Sequence, residues 1–323
     1  MRLRTITLGT TGALAAAGIV LGAQVYRRYQ RDLAEARRRL EALGSRVVET
    51  ECGHVEYVER AEGYPVLVVH GIVGGFDAGI ASVGATLGEG YRLIIPSRFG
   101  YLRTPLPQNA SPATQADAHA ALLDSLGVER AAVIAYSAGA TSAIRFALRD
   151  PDRISALVLV VPNAPSAGRP GLTLPPKPVL NALYRSDFIF WLATTRFRSA
   201  LYGTMGVPKE FDLTPTHEAE IAALMQTVFP VRPRADGAMF DAFVSNPDIN
   251  SGYPFGAIAV PVLVVSARDD ALAGYENARF LAEQIPGAQL LTFENGGHML
   301  LGQSERVGRG IQEFLREYVR AGR

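Results

Sequence analysis

The 323-residue sequence predicts an α/β fold: a mostly parallel sheet of the eight-stranded type flanked by helices, with a helical insertion and an N-terminal transmembrane or signal-anchor helix. Three observations carry this. From residue 45 onward, short unbroken apolar runs alternate with stretches of helical periodicity, as expected of strands buried on both faces and joined by helices. That alternation stops between residues 163 and 259, where no strand pattern recurs. Ahead of both, the chain carries no charge from Thr5 to Val25. Composition narrows the class further. With 48% hydrophobic and 20% charged residues the chain is globular, and a net charge of +1 offers no electrostatic case for nucleic acid. The single cysteine, Cys52, excludes internal disulfides and a cysteine-built zinc site.

Taken in order, residues 1–25 open with Arg2 and Arg4 and then run uncharged for about the 20 residues a helix needs to cross a bilayer. The expectation is an uncleaved membrane anchor, with a cleaved signal peptide and export as the alternative. Residues 26–44 read as an Arg-rich amphipathic helical linker. Its Arg27, Arg28, Arg31, Arg37, Arg38 and Arg39 outnumber the basic residues before the apolar run, which places the following domain on the cytoplasmic side. Leu33, Ala36, Leu40 and Leu43 recur at helical spacing, so this helix could equally lean on the domain.

Residues 45–162 and 260–323 form the α/β core. "RVVET" and "HVEYVER" read as an antiparallel pair, and "YPVLVVHG" and "YRLIIPS" as strands. "SPATQADAHAALLDSLG" is a helix, with Ser111 and Pro112 at its start and Gly127 at its end. "RAAVIAY", a helix from "AGATSAIRFALR" and "ISALVLVVP" follow. Residues 163–259 are a helical cap: a Pro-rich lead-in, then helical stretches bearing Tyr184, Phe188, Trp191 and Phe197. "VPVLVVSA", "YENARFLAEQI", "AQLLTF" and "SERVGRGIQEFLREYV" resume the alternation.

In an open parallel sheet, ligands meet the loops at the carboxyl ends of the strands. Those ends carry His70-Gly71-Ile72, then Ser137, then Asn163, then Asp269 and Asp270, and finally His298. A serine, an acid and a histidine thus close three separate strands. The glycines of "GIVGGFDAG" read as a loop that lets backbone approach substrate; no phosphate-binding or dinucleotide glycine pattern occurs, so no cofactor is expected. No cluster at metal-ligand spacing appears, so no metal is expected.

These motifs resemble the α/β-hydrolase family from about residue 46 to the end of the chain. "VVHG", "AYSAGA", "PDRISALVLV", "SARDDALAG" and "NGGHML" carry the resemblance. It implies a nucleophile elbow at Ser137, with Ala135 in place of the family's first glycine. It also implies His298 as general base, the amides of Ile72 and Ala138 as oxyanion donors, and a structural role for His70. The G-x-x-D pattern of the family points to Asp270 as the orienting acid, with Asp269 as the alternative. His54, His119 and His217 read as packed or surface residues. "PSRFGYLRTPLP" is similar to the family loop D-R-x-G-x-G-x-S, with Ser97 and Tyr101 departing from it, and is assigned to structure and pocket shape.

The expected activity is hydrolysis of a carboxylic ester, small and apolar or lipid-derived, through an acyl-enzyme on Ser137. The insertion would serve as a lid over an apolar pocket, and the partners would be a small-molecule ester and, through the N-terminal segment, a membrane. Two alternatives keep the triad: a C–C bond hydrolase and a cofactor-free perhydrolase. A third is a membrane-tethered binding protein on a retired hydrolase fold. Epoxide hydrolysis and dehalogenation are disfavoured, since those relatives carry aspartate where this chain has Ser137.

Overall fold

The structure, a computed structural model, describes residues 3–83, 87–166 and 174–320. Residues 167–173 of the Pro-rich lead-in lie outside the described residues. One eight-stranded sheet runs in the order β1-β2-β4-β3-β5-β6-β7-β8. Its strands are β1 (Arg46–Thr50), β2 (Gly53–Arg60), β3 (Gly63–Val69), β4 (Gly90–Pro96), β5 (Ala131–Tyr136), β6 (Ile154–Val160), β7 (Val262–Ala267) and β8 (Gln289–Phe293). The β1–β2 and β2–β4 pairs are antiparallel. From β4 to β8 every pair is parallel.

The apolar runs explain this arrangement. Every residue of β6 and of β7 is buried, because both faces are covered. Alternation along the strands sends Leu67, Val133, Leu157 and Val264 to one face. There they meet α3 (Pro112–Ser125), α4 (Gly139–Arg149) and α11 (Tyr275–Gln284). Val66, Ile134, Val158 and Val265 face the other way, onto α2 (Phe76–Val83) and α12 (Ser304–Arg320). Ser111 caps α3 as expected, its hydroxyl accepting from the Thr114 amide at 3.1 Å with Pro112 in the first turn. The glycine-rich segment read as a loop is shorter than expected, since α2 begins within it at Phe76.

Between β6 and β7 the described residues form helices and no strand. They are α5 (Lys177–Arg185), α6 (Asp187–Arg196), α7 (Arg198–Leu201), α8 (Pro215–Thr227) and α9 (Ala235–Phe240). A π-helical stretch, Asp241–Ser245, then leads into α10 (Asn246–Asp248).

The N-terminal expectation is corrected. Among the described residues no helix is long and apolar enough to cross a membrane, so the anchor in residues 1–25, the membrane as a partner and the membrane localisation are withdrawn. The chain does not break where the uncharged run ends. One helix, α1 (Leu3–Ala42), continues through the arginines. For residues 26–44 the structure takes the second of the two expected courses, a helix leaning on the domain. Tyr29, Leu33 and Ala36 lie on one helical stripe and are buried. Tyr29 packs edge-on against Phe188, with centroids 5.1 Å apart, and Trp191 donates its indole N–H to Asp32 at 3.0 Å. Arg39 donates to the backbone carbonyls of Gln226 and Phe229, at 2.6 and 2.7 Å. The helix is therefore docked on the insertion.

His119 of α3 is buried, its Nε2 lying 3.2 Å from Ser142 Oγ of α4. Burial, with a smaller push from Arg98, drives its pKa down to about 3. An unfolded chain binds that proton near pH 6.5, so between those values the unfolded state carries more protons and stability falls as the pH is lowered. Urea unfolding between pH 5.5 and 4 should show the wild type losing about 1.4 kcal/mol per pH unit more than His119→Asn. Equal slopes for the two proteins would show that His119 is protonated in the fold.

Candidate active site

β5 ends at Tyr136 and α4 begins at Gly139, so the turn between them must reverse the chain within two residues. Ser137 does so with a left-handed backbone, φ +49°. That conformation costs a non-glycine residue about 1–2 kcal/mol and needs a surrounding structure that enforces it. The Ser137 amide donates to the Val160 carbonyl at 3.0 Å, and its own carbonyl accepts from Ala140 and Asn163 at 3.0 and 2.9 Å. The end of β6 thereby holds the turn from the side. Space is the second constraint: a Cβ at Gly139 would lie 2.7 Å from the carbonyl oxygens of both Val69 and His70. Ala135, where the family motif has glycine, is wholly buried in the core, so its methyl group fits there.

The loops after β7 and β8 bring two more side chains to this turn. His298 Nε2 lies 2.9 Å from Ser137 Oγ, and its Nδ1 lies 2.9 Å from Asp270 Oδ2. A carboxylate only accepts, so Nδ1 carries the proton, and Nε2 is left to accept the Ser137 hydroxyl. Asp270 is buried, and its Oδ1 takes the amides of Leu272 and Ala273, each at 2.9 Å. Burial alone would raise its pKa. The adjacent His298 and the hydrogen bonds from His298, Ala273 and Leu272 outweigh that and hold the carboxyl below its ordinary value. Asp269 faces away from the imidazole and binds the amides of Gly296 and Gly297.

The His70–Gly75 segment lines the opposite side. A Cβ at Gly71 would come within 3.2 Å of Ser137 Cβ, so the backbone leading into Ile72 runs directly past the serine. Ala138 sits at the start of α4. His70 is no base for this site. Its Nδ1–H donates to Gly71 O at 2.7 Å, and its Nε2 accepts the Arg98 amide at 3.0 Å. Burial first, and then the Arg98 charge, push it well below the usual imidazole range, so it stays neutral. His54, His119 and His217 bind Glu49, Ser142 and Thr214, away from the serine. Among the described residues no cluster of His, Cys, Asp or Glu could hold a metal ion.

Two buried ion pairs support the His70–Gly75 segment, and sequence reasoning missed both. Arg98 spans from the His70 carbonyl, 2.8 Å, to Asp241, 2.7 Å, and Tyr101 donates to Asp241 while accepting from the Val73 amide. Arg234 binds the Gly74 carbonyl and both oxygens of Asp77. In each pair one partner comes from the core and one from the insertion. The available signal was an acid inside the apolar run "GAMFDAFV", a position that demands a buried cation.

Comparisons with known proteins bear on the fold and the family. A family model for the alpha/beta hydrolase fold matches residues 64–202, and one for TAP-like proteins matches residues 245–322. The 2-hydroxymuconate semialdehyde hydrolase of Pseudomonas putida is 27% identical over 268 residues, which is 80% of this chain and 89% of the relative. An uncharacterized hydrolase of Bacillus subtilis, YcgS, is 30% identical over 81% of this chain and 95% of its own length. An alpha/beta hydrolase fold protein from Nakamurella multipartita superposes with a TM-score of 0.66 at 31% identity, over 84% of this chain and 99% of that one.

Removing one member of a buried ion pair strands the other charge, so Asp241→Ala should destabilise the protein by about 3–5 kcal/mol in denaturant unfolding. Arg98→Met combined with Asp241→Leu should recover most of that loss. A single-variant loss as small as that of a surface substitution would show that water reaches Arg98.

Proposed function

The chain belongs to the α/β-hydrolase fold family and is a hydrolase, and from that premise we propose that it cleaves a carboxylic ester through an acyl-enzyme on Ser137. The observation that carries the reading is the unbroken chain of hydrogen bonds Ser137–His298–Asp270, with both links at 2.9 Å. His298 takes the hydroxyl proton as Oγ attacks the ester carbonyl. Asp270, anionic and buried, holds the tautomer and stabilises the imidazolium. The amides of Ile72 and Ala138 receive the developing oxyanion, and the dipole of α4 adds to the second. The imidazolium then protonates the departing alcohol. Water, deprotonated by the same His298, releases the acid and frees Ser137.

Residues 163–259 act as the cap over this site; Phe188 and Trp191 of that cap pack on Tyr29 of α1 and therefore do not select the acyl group. Among the described residues the two fully buried arginines, Arg98 and Arg234, are each bound to an aspartate, which leaves neither for a substrate carboxylate. That favours a neutral ester. A C–C bond hydrolase with the same three residues is the second reading, favoured by the similarity to 2-hydroxymuconate semialdehyde hydrolase.

A fluorophosphonate probe should label the wild type and leave Ser137→Ala unlabelled, and kcat for p-nitrophenyl esters should fall about 10⁴-fold or more in that variant. Labelling of Ser137→Ala at the wild-type rate would remove Ser137 from the mechanism. A kcat/KM series over ester acyl lengths, set beside 2-hydroxymuconate semialdehyde, separates the readings. Turnover of the semialdehyde with none of the esters would select C–C cleavage.

A further inference from the structure

We propose that Asp269 is a positioning residue for His298, one half of a two-sided clamp whose other half is the Gly206 carbonyl of the insertion. The proposal presupposes that His298 serves Ser137 as its base.

Asp269 Oδ2 accepts the Gly296 amide at 3.1 Å and Oδ1 the Gly297 amide at 2.9 Å. These are the two residues immediately before His298. Both have positive φ, +128° and +60°, the backbone that turns two successive amides toward one carboxylate. The register that brings Asp269 there comes from the sheet: β7 pairs with β8 through Ala267 and Phe293, and the Arg268 amide then donates to the Phe293 carbonyl at 2.8 Å. A carboxylate is the one side chain of this length with two acceptor oxygens and no donor, and its charge strengthens both bonds.

The insertion grips the same loop from above. The His298 amide donates to the Gly206 carbonyl at 3.1 Å. Gly206 is left-handed, φ +76°, and a Cβ on it would overlap the Cβ of His298. Further along the loop, Leu301 is buried with Val207, Ile221 and Met225 of the insertion, and the Gly302 amide donates to Glu220 at 3.2 Å. The imidazole therefore sits on a loop held by the core carboxylate on one side and the insertion on the other. With either grip lost, the loop is free to shift, and a displacement of about 1 Å breaks both contacts of the ring. The adjacent aspartates thus divide the work: Asp270 orients the ring and Asp269 holds the loop that carries it.

The test uses the full chain, p-nitrophenyl butyrate and a fluorophosphonate probe, with Asp269→Asn and Gly206→Ala. Asparagine offers one acceptor and turns its NH₂ toward the second amide, while the methyl group added by Gly206→Ala pushes on His298 from the insertion side. Both variants should lose about 10- to 100-fold in kcat and in labelling rate, with KM within about twofold of wild type. Both should also lose the low-field proton resonance of the His298 Nδ1–H, while circular dichroism shows a folded protein. Wild-type kcat and labelling in a folded Asp269→Asn would overturn the proposal, as would a change confined to KM. If Asp269→Asn does not fold, Asp269→Glu, which keeps the charge and both acceptors but is one methylene longer, decides by the same measurements. Wild-type protein that shows no Ser137-dependent labelling would instead overturn the functional reading on which the clamp depends.

Discussion

The left-handed backbone at Ser137 is the constraint around which the rest of the molecule is arranged. The conformation is unfavourable for any residue with a Cβ, so it persists only where neighbours leave no alternative. Here the end of β6 supplies them, through Val160 on the serine amide and Asn163 on its carbonyl. The tight turn in turn dictates small residues nearby. Gly139 lies against the carbonyls of Val69 and His70, and Gly71 lies against the serine itself. What the strain obtains is a hydroxyl standing clear of the sheet, with the first amide of a helix beside it.

A second constraint is burial of charge. Arg98–Asp241 and Arg234–Asp77 are almost wholly removed from water, and such pairs are tolerated only when every donor and acceptor is matched. Both tie the insertion to the loop that faces Ser137. The insertion is consequently part of the site's scaffold and no loose appendage. The same holds for α1, whose Asp32, Leu33 and Arg39 dock on it through Trp191 and the backbone at the end of α8.

The strands were legible because parallel strands covered on both faces need continuous apolar runs, and β5, β6 and β7 have them. The strand-end residues were legible for the same reason, since chemistry-bearing side chains directly after such runs stand out. Less visible was α2, because a glycine-rich segment carries no helical signal before Phe76. The uncharged run of α1 was misread as a bilayer span, since charge alone says little about how apolar a segment rich in alanine, glycine and threonine is. The later part of the helix leans on the insertion, the course that its Leu33 and Ala36 spacing left open. The adjacent aspartates at 269 and 270 posed a subtler problem. Both are acids after a strand, and only the direction of each side chain separates the one that meets an imidazole from the one that meets two amides.

By itself the sequence determined the class of sheet, the place of the helical insertion and the set of residues delivered to the carboxyl edge. Those follow from the periodicity of burial, which is a local property. The tertiary structure decided which charges pair, which acid faces His298 and where α1 lies. Each of these is a contact between segments far apart in the chain, and its energy depends on desolvation and on angles that arise only once the layers have packed.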